Sequence, residues 1–214
     1  MSAPRPTARA AARGRPATDP GCAGCAHLVT LRALRRAGVE VQGGLGCEEH
    51  ADANFAPAWG RWAAVTGVER LRRRGAGELL AEASRAGAAL VVVADRVAPV
   101  RSLRMEEELA RAGATFDWLD LDDVAGVEAR VREALERPGT VLLALARCVN
   151  GTAHQAPYEV DGALCNRCGS CLTLACPALH DAGDASAVDA DACTGCGRCA
   201  PLCRSEALAP TGPV

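Results

Sequence analysis

The sequence predicts a parallel α/β domain over residues 21–150 followed by a small cysteine-rich α+β module over residues 151–214, behind a disordered arm of residues 1–20. Three observations predict it. Amphipathic helices alternate with continuous apolar strands as far as Leu145. After Arg147 the composition turns to Gly, Pro, Asp and Cys. VDGALC (Val160 to Cys165) recurs as VDADAC (Val188 to Cys193), and each copy runs into its own cysteine cluster.

The elements follow in order. MSAPRPTARAAARGRPATDP mixes Ala, Arg and Pro without apolar periodicity and cannot bury enough surface to offset the entropy of ordering, so a solvated arm is expected. AHLVTLRALRRA sets Leu28, Leu31 and Leu34 on one face with arginines opposite and halts at Gly38, the pattern of an amphipathic helix. Val39 to Val41 can begin a strand before the Gly43-Gly44 turn. GAGELLAEASRAG then reads as helix and AALVVVAD as buried strand. In a second cycle Met105 to Ala112 is helical, Thr115 to Leu119 a strand, Val124 to Leu135 helical and Thr140 to Leu145 (TVLLAL) a buried strand. Parallel strands are covered on both faces, which is why they read as unbroken apolar runs.

Composition narrows the function classes. The chain has 214 residues, 49% of them hydrophobic, enough for an ordinary core plus a small second domain. Net charge is -2, so there is no global basic field to draw the chain to nucleic acid or anionic lipid. No hydrophobic leader follows the first methionine and no apolar run approaches membrane-spanning length, so a cytoplasmic protein without a membrane partner is expected. Twelve cysteines in such a compartment point to metal before disulfides.

Their spacing sharpens that reading. The first copy is CNRCGSCLTLACP, with Cys165, Cys168, Cys171 and Cys176; the second is CTGCGRCAPLC, with Cys193, Cys196, Cys199 and Cys203. Both follow the bacterial ferredoxin rule, in which three cysteines at i, i+3 and i+6 wrap one [4Fe-4S] cubane and the fourth reaches the other. Crossed ligation assigns Cys165, Cys168, Cys171 and Cys203 to one cluster, and Cys193, Cys196, Cys199 and Cys176 to the second. Gly169, Gly195 and Gly197 permit the tight loops that aim backbone amides at sulfur. Four-cysteine zinc sites usually pair two Cys-x-x-Cys knuckles across a longer loop, which tandem triplets fit poorly.

Cys22, Cys25, Cys47 and Cys148 lie outside the repeat. Each alone could be a small buried hydrophobe. Cys22 and Cys25 precede the first helix, while Cys47 and Cys148 follow strands, and the carboxyl ends of parallel strands gather along one edge. A third cubane could form there.

GCAGCAHLVTLRAL, GGLGC and YEVDGALCNRC, in this order, resemble the large subunit of indolepyruvate:ferredoxin oxidoreductase, within the thiamine-diphosphate-dependent 2-oxoacid:ferredoxin oxidoreductases. The resemblance runs from about Gly21 to Leu208. It implies a thiamine-diphosphate-binding-like α/β domain, and a cluster near thiamine held by cysteines at positions 22, 25, 47 and 148. It also implies a partner subunit, because the other thiamine-binding half has no counterpart here. The family binds thiamine diphosphate through Mg2+ on hard oxygen ligands. Here Val68 stands where an acid belongs, Arg96 where an Asn belongs, and Gly44 replaces the acid of the glycine turn. Such a degenerate site should hold Mg2+ poorly. Arg96 with Arg72, Arg73 and Arg74 could hold a diphosphate directly, although a solvated helix-start face accounts for three of them. His27 matches a family position near the cofactor; His50, His154 and His180 fit no ligand spacing.

The expected function is therefore an iron-sulfur electron-transfer protein or subunit, working with a redox partner and built on a degenerate thiamine domain. Two alternatives stay open: oxidative decarboxylation of an aryl-2-oxoacid with thiamine diphosphate and a partner subunit, and a zinc-stapled interaction module.

Overall fold

In the computed structural model, residues 22–43, 61–95, 103–137 and 139–212 are described. The arm, Gly44, Cys47, His50 and Arg96 lie outside them. The first part of the chain orders as α1 (His27–Arg36), β1 (Glu40–Gly43), β2 (Trp62–Thr66), α2 (Val68–Arg74), α3 (Ala76–Arg85), β3 (Leu90–Asp95), α4 (Leu103–Arg111), β4 (Thr115–Trp118), α5 (Val124–Glu136) and β5 (Thr140–Leu145). The strands form one five-stranded parallel sheet in the order β1-β2-β3-β5-β4.

Period-two alternation sorts the sheet's side chains into two layers. Val65, Leu90, Val92, Leu142 and Ala144 face α1 and α5. Ala64, Val91, Val93, Val141 and Leu143 face the side covered by α2, α3 and α4. The central strands are therefore buried on both sides, and every residue of β5 is buried. Helix α1 ends because Gly38 takes a left-handed φ of 69°, letting the Gly38 and Val39 amides close onto the Arg35 and Leu34 carbonyls.

The sequence reading missed β2. Trp62–Thr66 is short, alanine-rich and not alternating, yet it lies between β1 and β3, with Ala63, Ala64 and Val65 buried. Arg72, Arg73 and Arg74 close the last turn of α2 instead of opening a helix. Arg74 is engaged with Glu78 and Glu82.

The second part carries β6 (Tyr158–Val160), β7 (Leu179–Asp181), β8 (Ser186–Val188) and β9 (Leu208–Pro210), with single 3-10 turns at Cys171–Leu174 and Ala200–Leu202. The outer strands β6 and β9 pair antiparallel, as do β7 and β8. The repeat builds the same turn twice. The Cys165 amide donates to the Asp161 carbonyl at 3.0 Å and the Cys193 amide to the Asp189 carbonyl at 2.9 Å. Each Asp side chain accepts the amide two residues on, from Ala163 and Asp191.

The two parts share one core. Leu28, Val29 and Leu34 of α1 belong to the same apolar cluster as Cys171, Leu174, Cys199 and Leu208. Arg32 reinforces the joint, donating to Thr173 Oγ1 and to Glu128 Oε2, both at 2.8 Å. Among the described residues no helix is long and apolar enough to cross a membrane.

Candidate iron-sulfur centres

The hairpin β7–β8 returns the chain so that Asp189 donates to the Ala178 carbonyl at 2.8 Å, which sets the second motif beside Cys176. Cys176, Cys193, Cys196 and Cys199 line a single, mainly apolar cavity, together with Leu174, Val188 and Tyr158. Burial pushes the Cys199 thiol up to about 12, and the neighbouring Cys196, Cys193 and Cys176 add to the rise. Crowded thiols of this kind disfavour their own ionisation, and bound iron relieves that repulsion. The Tyr158 amide points at Cys193 Sγ from 3.5 Å. These four residues offer the thiolate donors a cubane takes, and Cys25 lines the same cavity.

The first set is arranged differently. Pairing of β6 with β9, and the 2.8 Å bond from the Asp161 amide to the Ala207 carbonyl, bring the start of the first motif near the chain just after Cys203. Serine hydroxyls attend three of the four thiols. Cys171 donates to Ser186 Oγ at 3.4 Å, Cys168 donates to Ser170 Oγ at 3.5 Å, and Cys203 lies 3.6 Å from Ser205 Oγ. Ser170 holds the exposed Cys168 thiol below its ordinary value, with help from the Arg204 charge. At Cys203 burial pushes upward, but Ser205 and the amides around it outweigh burial and lower the thiol. Cys165 is half-buried.

Of the third set, Cys47 lies outside the described residues. Cys22 and Cys148 approach through Asn150, whose Nδ2 lies 3.7 Å from Cys22 Sγ, two residues beyond Cys148. The Cys22–Cys25 turn also meets the second motif. Gly24 takes a φ of 73°, and a Cβ there would fall 1.9 Å from Thr194 Oγ1. Among the described residues no three His, Cys, Asp or Glu side chains converge as a single bound ion would require, and all described cysteines are free. His27 is buried in α1, whereas His154 and His180 are exposed.

Sequence reasoning missed three features. Arg198, inside the second motif, donates to Asp122 Oδ1 at 2.6 Å, to the Leu121 carbonyl at 3.3 Å and to the Gly24 carbonyl at 3.4 Å, pinning the cluster loop to the sheet edge. The serines were visible as neighbours, since Ser170 and Ser205 each stand two residues after a cysteine; Ser186 was not. Thirdly, a cleft of about 730 Å3 opens beyond β4 and β5, lined by Trp118, Asp120, Arg147, Gln155 and Cys196 among others. The rule that ligands gather at carboxyl ends of parallel strands would have pointed there.

Val68 stands at the position where the resemblance implies a metal-binding acid. It is 6% exposed and packs in the apolar layer with Leu71, Ala76 and Leu79.

Comparisons with known proteins agree with the geometry. Residues 187–209, from β8 through the second motif to β9, match the family model of the 4Fe-4S binding domain. The chain is 30% identical over 112 residues to the indolepyruvate oxidoreductase subunit IorA of Methanothermobacter thermautotrophicus, covering 50% of this chain and 18% of that protein. It is 33% identical over 114 residues to the subunit of the same name from Archaeoglobus fulgidus, covering 53% and 16%. The chain thus matches less than a fifth of the length of either relative. Residues 187–209 are thus similar to a 4Fe-4S binding domain, and about half of the chain is similar to these IorA subunits.

Proposed function

We propose that this chain is an electron-transfer protein or subunit related to indolepyruvate ferredoxin oxidoreductase. In this reading Cys193, Cys196, Cys199 and Cys176 hold one [4Fe-4S] cluster, Cys165, Cys168, Cys171 and Cys203 a second, and Cys22, Cys25, Cys47 and Cys148 a third. The observation that carries it is the single cavity lined by Cys176, Cys193, Cys196 and Cys199, which draws ligands from both repeats as crossed ligation requires. A bound cluster supplies reversible one-electron chemistry.

The chain's own residues set the conditions. With the cysteines ionised as cluster ligands, the hydroxyls of Ser170, Ser186 and Ser205 would turn from acceptors to donors and, with the Tyr158 amide, favour the more negative, reduced state. Leu28, Leu174 and Val188 exclude water from the cavity of the second motif. Arg198 holds that motif against the α/β domain, and through Gly24 beside the Cys22–Cys25 turn. The α/β domain serves as a degenerate thiamine-type scaffold, a reading supported by the buried Val68. A redox partner or partner subunit takes or supplies the electrons, in keeping with relatives that are themselves named subunits.

Anaerobic purification with iron and acid-labile sulfide analysis, and EPR after dithionite, tests the reading. About twelve of each per chain supports three clusters, and about eight confines them to the C-terminal module. A colourless, iron-free protein overturns the proposal. Stoichiometric zinc in its place would favour an interaction module.

A further inference from the structure

The two motif copies use the residue after their first cysteine in opposite ways. In the first copy it is Asn166, which is exposed and whose Oδ1 accepts the Cys168 amide at 3.2 Å. In the second copy it is Thr194, 8% exposed, whose hydroxyl oxygen is closed to solvent and has no hydrogen-bond partner among the described residues. A hydroxyl in that state has lost its hydration with nothing in exchange. Valine has nearly the same shape and carries no such penalty, so the hydroxyl needs an explanation.

Its surroundings narrow what the missing partner is. Thr194 Oγ1 is pressed against Gly24, where a Cβ would fall 1.9 Å from it, and Val149 Cγ2 lies 3.2 Å from the same point. The carbonyls at hand are engaged: that of Gly24 accepts from Arg198, that of Thr194 from the Gln155 amide and that of Cys22 from the Cys25 amide. What remains is sulfur. Thr194 lines the cavity whose walls include Cys25, Cys176, Cys193, Cys196 and Cys199. It also borders the larger cleft, but its hydroxyl is shut off from that solvent. The other buried hydroxyls without a partner among the described residues are Thr30 and Thr66. Thr30 lies inside α1, where a rotated hydroxyl can reach the carbonyl four residues back, Thr66 ends β2, and neither lines the cysteine cavity.

We propose that the Thr194 hydroxyl donates a hydrogen bond to a sulfur in this cavity when the cysteines are ligated to iron, and thereby raises the reduction potential of the second-motif cluster. The proposal rests on the cluster reading above. A protonated thiol is a weak acceptor, whereas sulfur bound to iron carries negative charge and takes up a donor strongly. The charge on sulfur grows on reduction, so a fixed donor favours the reduced state. Closure of the site to water by Gly24 and Val149 strengthens the effect, because no solvent competes for the hydroxyl. In the first motif the same position serves its own loop instead, through the bond from the Cys168 amide to Asn166.

The test is a potentiometric titration of the full chain, purified anaerobically with its iron and followed by EPR. In T194V the ratio of reduced to oxidised cluster at a fixed potential should fall about fivefold for one cluster signal and stay as it is for the others. T194A, which removes the donor together with the methyl, should shift in the same direction. T194S keeps the hydroxyl and should titrate as wild type. Proton ENDOR of the reduced protein, in H2O against D2O, should show an exchangeable coupling in wild type and T194S that is missing in T194V. Iron content should be equal in all of them. An unshifted T194V, an equal shift in T194S, or the same exchangeable couplings in every variant overturns the proposal. So does loss of iron from both T194V and T194A, which would make Thr194 a residue of assembly and not of tuning. Absence of iron in the wild-type protein overturns the cluster reading as well, so the two failures are distinguishable.

Discussion

Single residues control how the cysteine loops meet their surroundings. Gly24 and Gly38 adopt nearly the same left-handed φ, 73° and 69°, but a Cβ at Gly38 meets nothing within 4 Å whereas one at Gly24 would strike Thr194. Alanine at position 38 should therefore cost about 1 kcal/mol, the conformational penalty alone. Alanine at position 24 should cost roughly 2 kcal/mol more, because clash is added to that penalty. Urea midpoints of the two variants measure the difference. Gly24→Ala should also disturb iron loading, since the turn carries Cys22 and Cys25 and touches the second motif. A sequence reader sees two similar glycines here, because the contact that separates them joins residues 170 positions apart.

At the level of elements, α1 is the joint. It is buried from His27 to Leu34 because α5 lies along it and the first cluster motif packs at its side. Truncating the fully buried Leu34 to alanine should cost about 3 kcal/mol. The polar side of the joint depends on Glu128 of α5, which binds Arg32, Arg36 and Arg132. Burial pushes the Glu128 carboxyl up, but hydrogen bonds and charge from Arg36 and Arg32 outweigh it and hold the group below its ordinary value of 4.5. A depressed folded-state value means stability that is present above about pH 4.5 and lost as pH falls through the lower folded value. Glu128→Gln should therefore destabilise by about 1–2 kcal/mol at pH 7, and the gap from wild type should shrink below pH 4. Thermal melts at the two pH values read this directly. Of the elements, α3, α5, β3 and β5 were legible because each carries its own periodicity or an unbroken apolar run. β2 was not, since WAAVT acquires its strand character from the β1 and β3 ladders on either side.

At the level of the whole molecule, the continuous core from the sheet through α1 to Cys171, Cys199 and Leu208 makes the two modules thermodynamically dependent. Far-ultraviolet circular dichroism and visible cluster absorbance should lose signal in one coincident thermal transition. Two separated transitions would show that the modules fold independently. Iron removal with a chelator should lower the melting temperature of the α/β domain too, because the ligand loops wall its core. Titration with thiamine diphosphate and Mg2+ should give no binding heat, given valine in the buried layer at position 68.

The sequence by itself pointed to a 4Fe-4S binding region near the C-terminus and to the parallel α/β sheet, whereas the expected α+β second module shows strands and 3-10 turns but no α-helix among its described residues. Cysteine spacing dictates which loops can wrap a cubane, and apolar runs separated by amphipathic helices dictate a covered parallel sheet. Both are short-range patterns that survive without knowledge of the packing. Only the tertiary structure decided that Arg198 clamps the second motif to the sheet edge, and that Cys22 lies beside the Cys148 segment. Those facts depend on which distant backbone comes within a few ångströms, and neither composition nor periodicity encodes that for a single residue.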